Sequence, residues 1–342
     1  MHRPALRPML IGHRGAPCHR PEHSAAAYRL ALEQGCDAVE PDVVPSRDGV
    51  LVVRHERRLD GSTDIAARPE LADRRRASDP QGDGPGWYAE DLDWAELAAL
   101  RCREPLPELR PASAAHDGEQ PILRLRDLVA LLDAAERRYR PSLVVEIKTP
   151  AAFAAQGFDM ARLLMEELER IGPSSVLEGL VVESFEFPVL RELRWLGLPA
   201  KLVALVDDER EGPADPSPLG PEALDELASW ADGVSPRHSL LEVAEAVDAL
   251  DPAAGRALVD AAHERDLEVL TWTLRPEDRF NPPAFAGRPE DYWRGLLRTG
   301  VDGVFADAPD RVRPIVDEIA AERQSAAGAE ARAEHPAGRG AR

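Results

Sequence analysis

The sequence predicts an α/β fold: a closed barrel of eight parallel strands, each followed by a helix. Three observations lead there. Short apolar runs alternate with longer amphipathic stretches, the pattern of βα units and a parallel sheet. The runs number eight, and the charged residues inside them gather at their C-terminal ends, where the chemistry of such barrels sits. The 342 residues would suit two domains or one large α/β barrel, and the count of runs selects one barrel over residues 1–321.

The strands, in order, are Met9–Gly12, Ala38–Val43, Leu143–Ile147, Leu180–Ser184, Leu202–Val206, Gly233–Ser235, Val269–Thr273 and Gly303–Ala306. Helices are expected over Ser24–Gln34, Leu125–Tyr139, Asp159–Ile171, Pro188–Leu196, Pro221–Trp230, Gly255–Arg265 and Tyr292–Thr299. The first ends at Gly35, a residue suited to the left-handed C-cap. Between the second and third barrel strands, an extra extended segment at Val50–Arg54 leads into an insertion of about 60–120. It is rich in Arg, Asp, Pro and Gly, with one short helical segment near Leu92–Leu100, and long connections of this kind are lids or disordered. Residues 322–342 are rich in Ala, Gly, Arg and Glu without an apolar face and read as a disordered tail.

The formal net charge of -20 argues against nucleic acid or an anionic membrane as partner, since both call for basic stripes. No run reaches the roughly 18 apolar residues of a membrane span, so no stable membrane insertion is expected, and no secretory signal is visible. The chain as written reads as cytoplasmic. Cys18, Cys36 and Cys102 lack paired spacing and read as reduced thiols.

The strand ends carry the chemistry. Glu40 and Asp42 are two apart, so on one strand they share a face; two carboxylates that close repel unless a cation lies between them. Glu146, inside Val144-Val145-Glu146-Ile147-Lys148, supplies a third. Three carboxylates without clustered Cys or His describe a hard oxygen site for Mg²⁺ or Ca²⁺. His13 and His55 end apolar runs and can form a general acid and base pair, while Arg14 and Lys148 can hold an anion. Phe185 and Trp272 are candidate apolar walls of a pocket that also takes in Glu183; the plainer alternative for both aromatics is core packing. Gly12 and Gly15 would let a substrate approach the backbone.

With these residues assembled, the chain resembles the glycerophosphodiester phosphodiesterase family. The resemblance lies in GHRGAPCHRPEHS, AVEPDVVPSRDGVLVVRHE, STDIA, VVEIK, VESF, TWTLR and GVDGVFADAPD, in the family's order. It implies a TIM barrel that hydrolyses glycerophosphodiesters, such as glycerophosphocholine, to sn-glycerol 3-phosphate and an alcohol. It implies one divalent metal, Ca²⁺ or Mg²⁺, on Glu40, Asp42 and Glu146, acid/base catalysis by His13 and His55, and phosphate contacts from Arg14 and Lys148. The mechanism proposed for the family runs through a cyclic phosphate, with His55 favoured here as base and His13 as acid. The long insertion is similar to that of the longer, periplasmic-type members, many of them exported. The chain departs from the family at Glu56, where Asp is usual; at His23, where Pro-Glu-Asn is common; at Ala306, where the short-form Thr-Asp-x-Pro reads Ala306-Asp307-Ala308-Pro309; and at Arg275, where short members often carry Asn. Two alternatives stand beside this reading. A lysophospholipase D-like activity would need an apolar channel, which the insertion's few aromatics do not suggest. A non-catalytic phosphodiester-binding protein should have lost one of these residues, and every position is filled.

Overall fold

The computed structural model describes residues 5–135, 141–207, 219–241 and 252–334. The strands are β1 (Met9–His13), β2 (Ala38–Glu40), β3 (Asp42–Pro45), β4 (Leu51–Val53), β5 (Ser142–Ile147), β6 (Val181–Ser184), β7 (Lys201–Val206), β8 (Gly233–Pro236), β9 (Glu268–Leu274) and β10 (Gly303–Ala306). Their order is β2-β1-β10-β9-β8-β7-β6-β5-β3-β4, and a further β2–β5 pairing closes the ring. The result is the parallel eight-stave barrel expected.

One stave differs. The predicted continuous strand Ala38–Val43 is broken at Pro41, which has no N–H to give to a ladder. Below the break β2 pairs with the start of β5; above it β3 sets Asp42 level with Glu146, and the Pro41 carbonyl accepts the Glu146 N–H at 3.0 Å. Beyond the break β3 turns into an antiparallel hairpin with β4, which is the extra segment and delivers His55.

The helices are α1 (Ala25–Glu33), α2 (Trp94–Leu97), α3 (Pro111–Ala114), α4 (Leu125–Asp133), α5 (Pro150–Ala154), α6 (Met160–Ile171), α7 (Phe187–Trp195), α8 (Pro221–Ala228), α9 (Ala253–His263), α10 (Pro289–Arg298) and α11 (Pro309–Glu334). Ser24 caps α1 through the Ala27 N–H, and Asp159 caps α6 through the Arg162 N–H, each satisfying a donor that the helix leaves open. The expected Leu125–Tyr139 helix runs, within the described residues, as α4; its last positions, 136–139, lie outside them. No described helix is long and apolar enough to cross a membrane.

The short helical segment expected near Leu92–Leu100 is α2, and the insertion also has a core of its own. Short helical turns and isolated bridges fold it around buried Leu59, Ile65, Trp87, Tyr88, Leu97 and Leu100. Its charges are internally matched: the buried Arg57 guanidinium binds Asp79, Asp83 and Glu90. The expected tail is also corrected. Residues 322–334 continue α11, because Ala and Glu favour helix and its side chains are anchored. Arg298 pairs with Glu322 at 2.7 Å, and Arg323 donates to the carbonyls of Ala5 and Leu297, both at 2.8 Å. Residues 335–342 lie outside the described set.

The barrel interior holds an apolar plug of Ile11, Ala38, Val144, Val181, Val203, Leu270 and Phe305. Burying each large member is worth ~1.5–3 kcal/mol. Successive side chains of a strand alternate faces, so the residue two positions further along each stave stands on the same inner side. Those residues are His13, Glu40, Glu146, Glu183, Leu205, Trp272 and Asp307. The polar layer at the mouth is thus set by the same register that packs the plug.

Candidate active site

The residues of that layer other than Asp307, joined by Arg14, His55, Lys148, Phe185 and Arg275, line a cavity of about 260 Å³. One carboxylate oxygen from each of Glu40, Glu146 and Glu183 lies within 4.8 Å of the others. All three are buried. Burial, then the charges of Asp42 and Glu146, push the Glu40 carboxyl well above the usual range. Burial and Asp42, working against Lys148, push Glu146 up to about 8, and burial with Glu146 and Asp42 raises Glu183. Such a group of carboxylates is stable in its charged form only with a cation among them. Glu40 Oε1, Glu183 Oε2 and Asp42 Oδ1 are buried without a hydrogen-bond partner among the described residues. Those oxygens fit a hard divalent cation.

The cluster differs from the expected Glu40, Asp42 and Glu146 in one member: Glu183, expected as a pocket residue, stands within it. Asp42 stands beside it, level with Glu146, and its carboxylate is engaged from three sides. His23 Nε2 lies 3.0 Å from Oδ2, Arg14 Nε is 3.3 Å from Oδ2, and Lys148 Nζ is 3.6 Å from Oδ1. Against burial, the charges of Lys148, His55 and Arg14 and the hydrogen bond from His23 hold Asp42 well below the carboxylate range.

Arg14 follows β1 in the left-handed region, at φ 56°, a conformation that costs ~1–2 kcal/mol. From there its N–H reaches the Glu40 backbone carbonyl at 2.9 Å and carboxylate Oε2 at 3.0 Å, and its guanidinium pairs with Glu22 at 2.9 Å. Lys148 Nζ donates to Glu146 at 2.7 Å and lies 5.7 Å from the Phe185 ring centroid. Phe185 meets Trp272 edge-on at 5.3 Å, and the indole N–H donates to the Ser235 carbonyl. The glycines beside His13 have a packing role instead of the one expected. A Cβ on Gly12 would stand 2.9 Å from Ala31 Cβ, and one on Gly15, at φ 94°, 2.6 Å from the Ala27 backbone. They let the β1 turn seat against α1.

Both expected histidines have a carboxylate on Nδ1. His13 Nδ1 is 2.6 Å from Asp307 Oδ1, and His55 Nδ1 is 2.6 Å from Glu56 Oε1. Glu56, one methylene longer than the Asp usual there, still closes this contact. Burial and then Arg14 lower the His13 imidazole to about 3, so it is neutral near pH 7. Burial, Arg14 and Lys148 lower His55 as well.

Residues at the site that were given no role from sequence are Glu22, His23, Arg110, Arg275 and Asp307. The alternation applied to Glu40 and Asp42 would have found Asp307, two positions past the plug residue Phe305. His23 sits at φ 59°, where Asn is also at home, so the departure from Pro-Glu-Asn keeps the backbone turn. Arg110 carries no signal of its own.

The family model described as the glycerophosphoryl diester phosphodiesterase family matches residues 13–311. A glycerophosphodiester phosphodiesterase of Arabidopsis thaliana is 29% identical over 322 residues, covering 88% of this chain and 84% of that one. A glycerophosphodiester phosphodiesterase of Haemophilus influenzae is 26% identical, covering 88% of each. Among solved structures, a glycerophosphoryl diester phosphodiesterase described from Silicibacter pomeroyi superposes with a TM-score of 0.67 at 26% identity, over 92% of this chain and 96% of its own. An Oleispira antarctica phosphodiesterase in complex with the product sn-glycerol-3-phosphate shares the fold at TM-score 0.60 and 20% identity, over 91% and 97%. Barrel, strand-end chemistry and family match agree: this chain is an enzyme that belongs to the glycerophosphoryl diester phosphodiesterase family.

Proposed function

We propose that the protein hydrolyses small glycerophosphodiesters, such as glycerophosphocholine, to sn-glycerol 3-phosphate and an alcohol, with a divalent cation bound by Glu40, Glu146 and Glu183 beside Asp42. The observation that carries this reading is the inner layer in which a carboxylate cluster and His13 meet above the apolar plug, with Arg14, Lys148 and His55 brought to the same cavity. A bound divalent cation would screen the phosphodiester's charge and acidify a glycerol hydroxyl.

The chain's own groups then divide the work. Arg14 and Lys148 face the phosphate oxygens, Arg14 with a fork that suits two of them. His55 takes the proton of the glycerol hydroxyl next to the phosphoester. That oxygen attacks phosphorus, giving a cyclic phosphate, and His13 gives a proton to the departing alcohol. Water opens the ring with the two histidines in exchanged roles. His13, neutral in the free protein, regains basicity as the substrate's negative charge offsets Arg14, the cation that depresses it after burial. Phe185 and Trp272 form the apolar wall beside Lys148.

The small volume and charged lining support a water-soluble substrate over an acylated one. Choline release from glycerophosphocholine, compared with lysophosphatidylcholine under the same divalent cation, tests the choice. Preference for glycerophosphocholine is expected; preference for the acylated lipid would overturn it in favour of lysophospholipase D-like action.

A further inference from the structure

In the β1–β10 register Gly12 is level with Ala306, so the next residues of the two strands, His13 and Asp307, emerge side by side at the barrel mouth. Asp307 is 1% exposed and His13 9%, and Oδ1 of the one lies 2.6 Å from Nδ1 of the other. The second oxygen, Oδ2, accepts from Arg110 Nη2 at 2.5 Å and is 3.1 Å from Arg275 Nε. Arg110 is itself held by Glu277 Oε1 at 2.7 Å. It lies 197 residues before Asp307 in the chain and comes from the insertion.

Two arginines on one buried carboxylate keep it ionised, and an ionised carboxylate can only accept hydrogen bonds. The proton of neutral His13 must then sit on Nδ1, which leaves Nε2 as the atom that exchanges protons. A base oriented by a third group in this way is the general arrangement for activated acid/base chemistry.

We propose that Asp307 is a positioning residue that fixes the tautomer and ring orientation of His13, and that Arg110 carries the inserted segment into this arrangement by clamping Asp307. The inference rests on the proton-transfer role of His13 in the reaction above. The insertion thereby becomes a part of the working site that acts through one side chain and touches no substrate.

A double-mutant cycle on glycerophosphocholine with saturating divalent cation tests this. Asp307→Ala should lower kcat about 10²-fold or more with little change in KM. In a His13→Ala background it should cost no more than about twofold, since independent sites would add. Arg110→Met should lower kcat roughly 10-fold, again only when His13 is present, and Arg110→Lys should recover part of the loss. Divalent-cation binding by calorimetry should be unchanged in each, which separates positioning from collapse of the site. If Asp307→Ala does not fold, the Arg110→Met and His13→Ala cycle is read in its place. Equal losses with and without His13, or wild-type kcat in Asp307→Ala, would overturn the proposal while leaving the reaction standing. A wild-type protein silent on every glycerophosphodiester would overturn both.

Discussion

His23 and Asp42 meet at 3.0 Å in a fully buried contact, with the Tyr28 hydroxyl 2.8 Å from the other ring nitrogen. Burial lowers the imidazole to about 4, against the pull of Asp42, so the neutral ring is placed with Nε2–H toward the carboxylate and Nδ1 toward the hydroxyl. His23 thereby orients the Asp42 carboxylate beside the carboxylate cluster. His23→Ala should cost ~1–3 kcal/mol in urea unfolding, as a buried carboxylate and hydroxyl lose their partner. His23→Asn, which tolerates the left-handed backbone, should lose less. Equal loss in the two would contradict a role through Asp42.

The division of labour between the histidines predicts a dependence on the leaving group. His13→Ala and His55→Ala should each lower turnover of glycerophosphocholine about 10²–10⁴-fold. With a p-nitrophenyl ester of glycerol phosphate, whose leaving group needs no proton, His13→Ala should recover most of its rate and His55→Ala should not. Recovery in His55→Ala instead would exchange the two roles.

Glu183 stands in the carboxylate cluster with a buried, unpartnered oxygen. Glu183→Gln should weaken divalent-cation binding about 10–100-fold, the usual scale for groups around a metal site. Calorimetric titration of the chelated protein measures it, and unchanged affinity would remove Glu183 from the site.

At the other end of the barrel, Asp302 ties three elements together. It accepts from the Ala5 and Val269 backbone N–H groups at 3.2 and 2.8 Å and meets His263 Nε2 at 2.8 Å. Against burial, these contacts hold its carboxyl below the usual range. A carboxyl depressed in the folded state contributes stability above its unfolded value of about 3.9, and that contribution is lost as pH falls through the folded value. Asp302→Asn should therefore be less stable than wild type by about 1–3 kcal/mol near neutrality. The gap should close as pH drops below about 4. A gap that stays constant into acid would contradict the assignment.

The barrel was legible because its eight apolar runs are β-rich and cleanly separated, and the groups at their ends stand out as charges in an apolar context. Strand two was misjudged at one residue: Pro41 sits between Glu40 and Asp42 in a run that otherwise reads as one strand, and the absence of its N–H breaks the stave where β3 turns toward β4. The insertion hid its structure because Arg57 and its acidic partners look like surface residues one by one; only their mutual contacts, 22 to 33 residues apart in the chain, make them a core. The tail was misread because the helix there is held by anchors such as Arg323, which no apolar periodicity announces. Glu183 lines the pocket as expected, but its place in the carboxylate cluster was not legible, because one carboxylate on its own strand says nothing of the two it joins.

The central claim is that the mouth layer, loaded with a divalent cation, cleaves glycerophosphodiesters. Phosphorus-31 NMR of glycerophosphocholine with chelated protein, followed by titration with Mg²⁺ and separately Ca²⁺, tests it most directly. The account predicts no change in the chelated sample and, once one of these cations is added, conversion of the diester resonance to that of sn-glycerol 3-phosphate. Turnover that is equally fast in chelator, or a diester resonance that persists with either cation, would contradict it.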